Sequence, residues 1–154
     1  MSRVQLALNV EDLAAAVAFY SKLFGTPPAK LRPGYANFAI AEPPLKLVLF
    51  EQPGQGGTIN HLGVEVDSTD DVAAAAARLT GQGLLTAVED DVACCYARQD
   101  KVWVDGPSGE PWEIYTVLAD VEMPDGQLRT TDPDTGQACC ATDTGAPSST
   151  GRCC

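Results

Sequence analysis

The chain has 154 residues, of which 45% are hydrophobic, as is normal for a globular domain. Its formal net charge is −11 and it has no basic cluster, which argues against nucleic-acid binding because phosphate backbones are anionic. No apolar run approaches the roughly 20 residues that cross a bilayer, and the first residues lack a signal-peptide pattern, so we expect no membrane contact. The six cysteines form adjacent pairs, which staple little of the chain together, so we expect a reducing, cytoplasmic setting.

The first elements follow from the spacing of apolar residues. Apolar side chains occupy alternate positions over 4–10, which predicts a half-buried strand. From Leu13 to Phe24 they recur at helical spacing, so we expect a helix there, ended by the glycine that follows. Apolar stretches at 35–41 and 45–51 then predict two strands.

The second half of the chain repeats this order. A strand over 60–66 superposes on the first strand, with Leu62 on Leu6 and His61 on Gln5. The elements that follow are a helix that begins near 68–71 and strands at 101–105 and 112–117.

Two matching halves predict an α+β fold of two βαβββ modules, about 1–53 and 58–120, within one domain over 1–120. Equivalent strand positions of two such modules converge at a pseudo-two-fold axis, and we expect a metal-centred cleft there. An unrelated α+β sandwich is the alternative, but the two halves match in the order of their elements as well as in their period.

The segment after residue 120 has a different composition. It is rich in Asp, Thr, Gly, Ser and Pro and poor in aromatic and β-branched apolar residues, so it buries too little surface to order itself. We therefore predict that 121–154 is a flexible tail. It carries two pairs of adjacent cysteines to which the sequence assigns no role: Cys139, Cys140, Cys153 and Cys154.

Three side chains are candidate metal ligands. Gln5 and His61 occupy equivalent strand positions, and Glu113 lies in the last strand, at the position that Lys46 holds in the first half. An imidazole nitrogen and a carboxylate oxygen suit Fe(II), Mn(II), Co(II) or Zn(II). A lone histidine on a strand is more often a satisfied polar group, but the position opposite Gln5 favours a ligand. The neutral amide of Gln5 is the weak member, so we expect the metal to be held loosely.

A further adjacent pair, Cys94 and Cys95, falls where the second half is longer than the first, and we expect a loop over 88–97. Adjacent residues of a regular strand point to opposite faces, so two such thiolates grip one atom only in a loop or bulge. Trivalent arsenic in an organic arsonous acid has two exchangeable oxygens, which two thiolates can replace. Two small buried residues are the alternative, but three adjacent pairs in one chain favour soft-ion chemistry with free thiols.

These stretches resemble the vicinal-oxygen-chelate superfamily, which groups glyoxalases, bleomycin-resistance proteins and dioxygenases. Within it, the chain looks like the ArsI-type carbon–arsenic lyases and the CadI cadmium-induced proteins. The resemblance covers residues 1–120 and is most specific in NHLGVEV at 60–66 and in the cysteine pair followed by QDKVWV at 99–104. Further matching stretches are RVQLALNV at 3–10, PGYANFAI at 33–40, PLKLVL at 44–49 and WEIYTVLAD at 112–120.

The resemblance implies an Fe(II)-dependent, dioxygen-consuming enzyme. Such an enzyme cleaves the C–As bond of trivalent organoarsenicals, such as methylarsonous acid and reduced aromatic arsenicals, and releases arsenite. The family's metal falls on Gln5, His61 and Glu113, and its substrate thiols fall on Cys94 and Cys95. Many members carry histidine where this chain has Gln5, which leaves the metal's identity open among iron, nickel, cobalt, manganese and zinc.

Three other functions are considered. The first is a cadmium- or arsenite-inducible protein that sequesters soft metal ions without catalysis, which the tail cysteines favour. The second is a drug-binding module of the bleomycin-resistance kind, which the aligned ligands disfavour. The third is a glyoxalase-like isomerase, for which Lys46 stands at the fourth ligand position, where an ammonium cannot bind a metal. Both modules lie in one chain, so a monomer and a homodimer are equally allowed.

Overall fold

The computed structural model describes residues 1–122, together with the backbone of 130–131 and 138–139. The elements along these residues are β1 Arg3–Val10, α1 Leu13–Phe24, β2 Lys30–Arg32, β3 Tyr35–Ile40, β4 Leu45–Glu51, β5 Ile59–Glu65, α2 Thr69–Gly81, β6 Thr86–Cys94, β7 Ala97–Asp105, β8 Pro111–Asp120, β9 Thr130–Thr131 and β10 Ala138–Cys139. Neither of the helices in this part of the chain is long and apolar enough to cross a membrane.

The helices begin and end on local signals in the sequence. The Asp12 side chain caps α1 by accepting a hydrogen bond from the backbone N–H of Ala15, and Ser68 caps α2 in the same way through the N–H of Asp71. Gly25 ends α1 in the left-handed conformation, with φ at 64°, which glycine adopts without a Cβ clash. These observations confirm the helices that were predicted from apolar spacing and capping residues.

Eight strands form one curled mixed sheet in the order β2-β3-β4-β1-β5-β8-β7-β6. Each module contributes one parallel pair, β1 with β4 and β5 with β8, and the modules join where β1 runs antiparallel to β5. Leu6 pairs with Leu62 at that junction, as the superposition of the two halves predicts. The α+β fold of two βαβββ modules is therefore confirmed.

The two faces of the sheet differ in what they bury. On one face, α1 packs on the sheet in a buried cluster, and α2 packs on Val102 through Val72 and Ala75. The α1 cluster consists of Val10, Leu13, Ala36, Phe38, Ile40, Leu47 and Leu49. The opposite face buries polar and charged side chains, among them Gln5, Asn9, His61, Lys101 and Glu113. Buried polar groups need partners, so this second face has the character of a site rather than of a core.

The expected loop over 88–97 is wrong. Strand β6 continues to Cys94 and β7 begins at Ala97, so that only Cys95 and Tyr96 form the turn between them. The extra residues are absorbed inside β6, where Asp91 takes a left-handed φ of 55° and the register shifts between Glu89 and Val92. The acidic run suggested a loop because Glu and Asp are depleted in strands, but a bulge accommodates it.

One further strand was not located from the sequence. The short strand β2 pairs with β3 at the edge of the sheet, and it carries too few apolar residues to give a period-two signal. The predicted flexible tail over 121–154 lies for the most part outside the described residues. Within it, the backbone of Ala138–Cys139 pairs antiparallel with Thr130–Thr131.

Candidate functional site: a metal centre beside a cysteine pair

The three predicted ligands come together on the polar face of the sheet. Gln5, His61 and Glu113 lie on β1, β5 and β8, and each is no more than 3% exposed. Gln5 Nε2 lies 3.0 Å from His61 Nε2 and 2.6 Å from Glu113 Oε1, and these last two atoms lie 3.2 Å apart. The pairing of each strand with its neighbour fixes this triangle.

The triangle has the dimensions of one face of a metal coordination shell. A divalent ion with bonds of ~2.1 Å at right angles needs donor atoms roughly 3 Å apart. Three side chains on one face leave other positions open, as in iron sites with two histidines and a carboxylate. The described residues contain no group of three or more His, Cys, Asp or Glu side chains placed to hold a metal. The site is therefore complete only if the Gln5 amide supplies the third donor.

The orientation of His61 is set by a relay that starts at a backbone carbonyl. The Thr58 hydroxyl donates to the carbonyl of Gln55, which is only an acceptor, so the hydroxyl oxygen accepts from Asn9 Nδ2. Asn9 Oδ1 accepts from Asn60 Nδ2, and Asn60 Oδ1 lies 2.8 Å from His61 Nδ1. Since Asn60 presents an oxygen, His61 Nδ1 carries the proton. Its Nε2 lone pair therefore points into the triangle.

Lys101 compensates the charge of Glu113. Its ammonium donates to Glu113 Oε2 over 3.0 Å, and the Lys101 side chain is 1% exposed. This contact occupies one carboxylate oxygen and leaves Glu113 Oε1 directed at Gln5 and His61. The Lys101 ammonium also lies 5.3 Å from the centre of the Trp103 ring, which packs edge-on against the imidazole of His61. The charged pair of Lys101 and Glu113 is thus buried beside aromatic rings.

Tyr115 and Glu65 support Gln5 from the other side. The Tyr115 hydroxyl lies 2.5 Å from Gln5 Oε1 and 3.0 Å from Glu65 Oε2. Burial alone raises the pKa of Glu65, but the charges of Lys46 and Arg3 outweigh burial and hold the pKa below its ordinary value. Burial and the charges of Glu113 and Glu65 raise the pKa of Tyr115 far above its ordinary value, so the phenol keeps its proton.

Lys46 stands beside Gln5 on β4, at the position equivalent to Glu113. Its ammonium pairs with Glu65 Oε2 over 3.1 Å and lies 5.0 Å from the centre of the Tyr115 ring. Lys46 thus supports the Tyr115 and Glu65 pair and supplies no fourth donor atom.

The cysteine pair sits at the tip of the β6–β7 hairpin. Cys95 and Tyr96 both take left-handed φ angles, 56° and 63°, as the two central residues of a tight hairpin turn require. The Sγ atoms of Cys94 and Cys95 lie 3.0 Å apart, whereas a disulfide requires about 2.05 Å. The turn therefore brings both sulfurs to one side, which a regular strand would not do.

The structure corrects one expectation about this pair. Cys94 takes part in a disulfide, so its thiol is not free as the sequence suggested, and the partner sulfur is not that of Cys95. The Tyr96 side chain is buried with Ala7, Tyr35 and Phe50, which anchors the turn to the sheet.

One cavity of about 270 Å³ is lined by all five predicted site residues: Gln5, His61, Cys94, Cys95 and Glu113. Its wall also includes Gln99, whose buried Oε1 has no hydrogen-bond partner within the described residues and therefore offers an acceptor to a ligand. The supporting residues Asn9, Asn60, Glu65, Lys101 and Tyr115 were not singled out from the sequence. The signal that could have found them is a polar side chain at an inward-facing strand position, where an apolar residue is expected.

The sequence and fold together define the class of the protein. The chain belongs to the Glyoxalase/Bleomycin resistance protein/Dioxygenase superfamily, whose profile matches residues 3–114. The fold is that of an extradiol ring-cleaving dioxygenase from B. fuscum, with a TM-score of 0.56 and 24% identity over 78% of this chain and 34% of that chain. It is also that of a Mn(II)-bound glyoxalase from Novosphingobium aromaticivorans, with a TM-score of 0.55 and 21% identity over 84% of this chain and 46% of that chain.

More similar relatives fall into two named groups. The chain is 66% identical over 123 residues to the trivalent organoarsenical cleaving enzyme of Thermomonospora curvata, a match that covers 79% of this chain and 82% of the relative. It is 63% identical over 142 residues to the cadmium-induced protein CadI of Mycobacterium tuberculosis, covering 91% of this chain and 93% of the relative. One relative is thus named for a reaction and the other for its induction by a metal.

Proposed function

We propose that this protein is an Fe(II)-dependent, dioxygen-consuming lyase that cleaves the carbon–arsenic bond of trivalent organoarsenicals and releases arsenite. The substrates would be methylarsonous acid and reduced aromatic arsenicals. The observation that carries the proposal is that Gln5, His61, Glu113, Cys94 and Cys95 line one cavity. The Thermomonospora curvata relative, a trivalent organoarsenical cleaving enzyme, supports the same reaction.

The metal would be held by His61 Nε2, Glu113 Oε1 and the carbonyl of Gln5. When bound, Fe(II) supplies the activation of dioxygen that the side chains of the cavity lack. A neutral amide is a weaker donor than a second imidazole, so we expect loose binding, with nickel, cobalt, manganese or zinc able to compete for the site. The buried Lys101 already balances one charge of Glu113, which lowers the attraction of the site for a cation further.

Cys94 and Cys95 would bind the arsenic atom. In an arsonous acid, two As–O bonds are replaced by two As–S bonds, the two thiol protons leave with the oxygens as two water molecules, and the carbon substituent remains on arsenic. Both thiols must be reduced for this exchange, so the Cys94 disulfide has to be opened first. The proposal therefore requires a reducing compartment such as the cytoplasm.

The rest of the cavity would position the bound arsenical. The tight Cys95-Tyr96 turn fixes both sulfurs on one wall, and the buried Tyr96 ring holds that turn against Tyr35 and Phe50. An arsenic atom attached at two points loses most of its rotational freedom, so its carbon substituent is presented to the triangle in a restricted set of orientations.

The decisive experiment begins with the full chain reduced by a phosphine, because a thiol reductant would itself bind arsenic. The protein is loaded with Fe(II) anaerobically and mixed with methylarsonous acid, and dioxygen is then admitted while arsenite release and oxygen uptake are followed. We expect release only when both Fe(II) and dioxygen are present. Cys95→Ser should abolish turnover while metal binding is retained, and Cys154→Ser in the tail serves as the matched control. Full activity of Cys95→Ser would contradict capture by two thiolates.

A second function has support of its own. The relative named for cadmium induction is 63% identical, and the chain carries four cysteines beyond residue 120. Sequestration of Cd(II) or As(III) without catalysis would give tight stoichiometric binding and no arsenite release in the same assay. Replacing all four tail cysteines by serine separates the two functions, because it should weaken such sequestration and leave lyase turnover unchanged.

A further inference from the structure

The amide nitrogen of Gln5 hydrogen-bonds to the other two corners of the triangle. This nitrogen carries two protons, and its two nearest acceptors are His61 Nε2 and Glu113 Oε1, at 3.0 and 2.6 Å. His61 Nε2 is an acceptor because the relay from Gln55 keeps the proton on Nδ1. The –NH₂ group of Gln5 therefore donates hydrogen bonds to the same two lone pairs that would bind a metal ion.

In this orientation Gln5 presents its amide nitrogen, and not its carbonyl oxygen, to His61 and Glu113. Amide nitrogen does not bind divalent ions, whereas the amide carbonyl oxygen does. The carbonyl oxygen of Gln5 points instead to the Tyr115 hydroxyl. A metal at the triangle therefore requires the amide plane to rotate by half a turn.

The Tyr115 hydroxyl has one proton and two neighbours that accept, Gln5 Oε1 and Glu65 Oε2. It can donate to only one of them at a time. When it donates to Glu65, its oxygen becomes an acceptor and favours the –NH₂ group of Gln5 as its neighbour. Arg3 and Lys46 lie 3.0 and 3.1 Å from the oxygens of Glu65 and keep it ionised, so that it can accept this hydrogen bond.

We propose that Tyr115, supported by Glu65, is the positioning residue that lets the Gln5 amide turn over when a divalent ion enters the site. Without the ion, Tyr115 donates to Gln5 Oε1. With the ion, the Tyr115 hydroxyl rotates and donates its hydrogen bond to Glu65. Gln5 then directs its carbonyl to the ion and donates an N–H to the Tyr115 oxygen. Each state keeps one hydrogen bond between the Gln5 and Tyr115 side chains, so the rotation does not cost the pair that contact. The inference rests on the proposed metal site.

The test measures affinity rather than turnover. Zn(II) and Co(II) are titrated into the chelator-treated, reduced full chain by calorimetry, for the unmodified protein, Tyr115→Phe and the control Tyr20→Phe. Tyr20 lies on α1 and packs against Phe38, on the other face of the sheet. We expect Tyr115→Phe to weaken binding by about 10-fold or more and Tyr20→Phe to leave it unchanged. In a Gln5→Glu background both terminal atoms are oxygens and no orientation needs setting, so the same Tyr115→Phe change should cost much less.

A second measurement requires no variant at position 115. The side-chain –NH₂ resonances of Gln5, identified by their loss in Gln5→Glu, should shift on Zn(II) addition as their partners change from a carboxylate and an imidazole to a phenol. Equal affinities of Tyr115→Phe and the unmodified protein, or unmoved Gln5 resonances at saturating Zn(II), would overturn the inference while the metal site stands. Failure of the unmodified protein to bind any divalent ion would overturn both.

Discussion

Replacing Gly63 by alanine tests whether the pairing of the neighbouring strands β1, β5 and β8 sets the geometry of the triangle. Gly63 on β5 pairs with Gln5 on one side and with Glu113 on the other. A Cβ at this position would lie 3.0 Å from Glu113 Cγ, 3.1 Å from the Glu113 carbonyl oxygen and 3.4 Å from Gln5 Cβ. Favourable contact distances are about 3.5–4.0 Å, so the neighbouring strand must move away by several tenths of an ångström.

The expected cost is that of overpacking a filled interior, about 1–3 kcal/mol in the free energy of unfolding. The affinity for the proposed metal should fall as well, because the added methyl group pushes on two of the three proposed ligands. Gly81→Ala at the end of α2 is the matched control, since its Cβ would meet nothing within 4 Å. Alanine is the better helix former by up to about 1 kcal/mol, so this control should be neutral or stabilising.

Urea unfolding of the chelator-treated proteins gives the stability change, and Co(II) titration gives the affinity change. Gly63→Ala with the stability and Co(II) affinity of the unmodified protein would refute the reasoning. It would mean that β8 yields freely and that the register of the strands does not hold the ligands in place.

Three other substitutions test the groups around the triangle. Lys101→Met removes the buried counter-charge of Glu113. The free energy of unfolding of the metal-free protein in urea should fall by about 3–5 kcal/mol, and a divalent ion should recover part of this loss. A loss below about 1 kcal/mol would contradict the reasoning. Asn60→Ala removes the acceptor for the Nδ1 proton of His61 and should weaken Co(II) binding by about 10- to 100-fold, which calorimetry measures; an unchanged dissociation constant would show that the relay does not orient the ring. Glu65→Gln should cost about 1–2 kcal/mol at pH 7, because charged hydrogen bonds to Glu65 are lost. Since the folded pKa of Glu65 lies below the unfolded value of about 4.3, its contribution is present above that value and is lost as the pH falls through the folded pKa. The difference between the two proteins in urea unfolding should therefore shrink as the pH falls below about 4.3, and a difference that stays constant over that fall would contradict the shift.

Much of the fold could be predicted from the sequence because the two modules repeat a strong signal. Period-two alternation and capped helices are local patterns, and the superposition of Leu6 on Leu62 related the two modules. The structure pairs these two residues at the junction. The same superposition brought Gln5, His61 and Glu113 together, because equivalent positions of two related modules meet at their axis. Their role as metal ligands remains a prediction, as does the division of the chain at residue 120.

What the sequence did not reveal depends on contacts between distant strands. Lys101 looks like a surface lysine until β7 is placed beside Glu113, and only that pairing explains why a lysine is 1% exposed. The direction of the Asn9 and Asn60 amides depends on a backbone carbonyl in the connection between the modules. The tight Cys95-Tyr96 turn could not be recognised in the sequence because neither residue is a glycine, although both adopt left-handed angles.

The presence of an amide –NH₂ between His61 and Glu113 has a consequence for how the protein is made. Small metal-dependent domains often remain unfolded until their ion arrives, because their ligands would otherwise face one another without a partner. Here Gln5 donates hydrogen bonds to His61 and Glu113, so under the proposed function the chain would complete its fold before an ion arrives. The supply of that ion would then govern how many molecules are active, while the number of folded molecules would depend on synthesis alone.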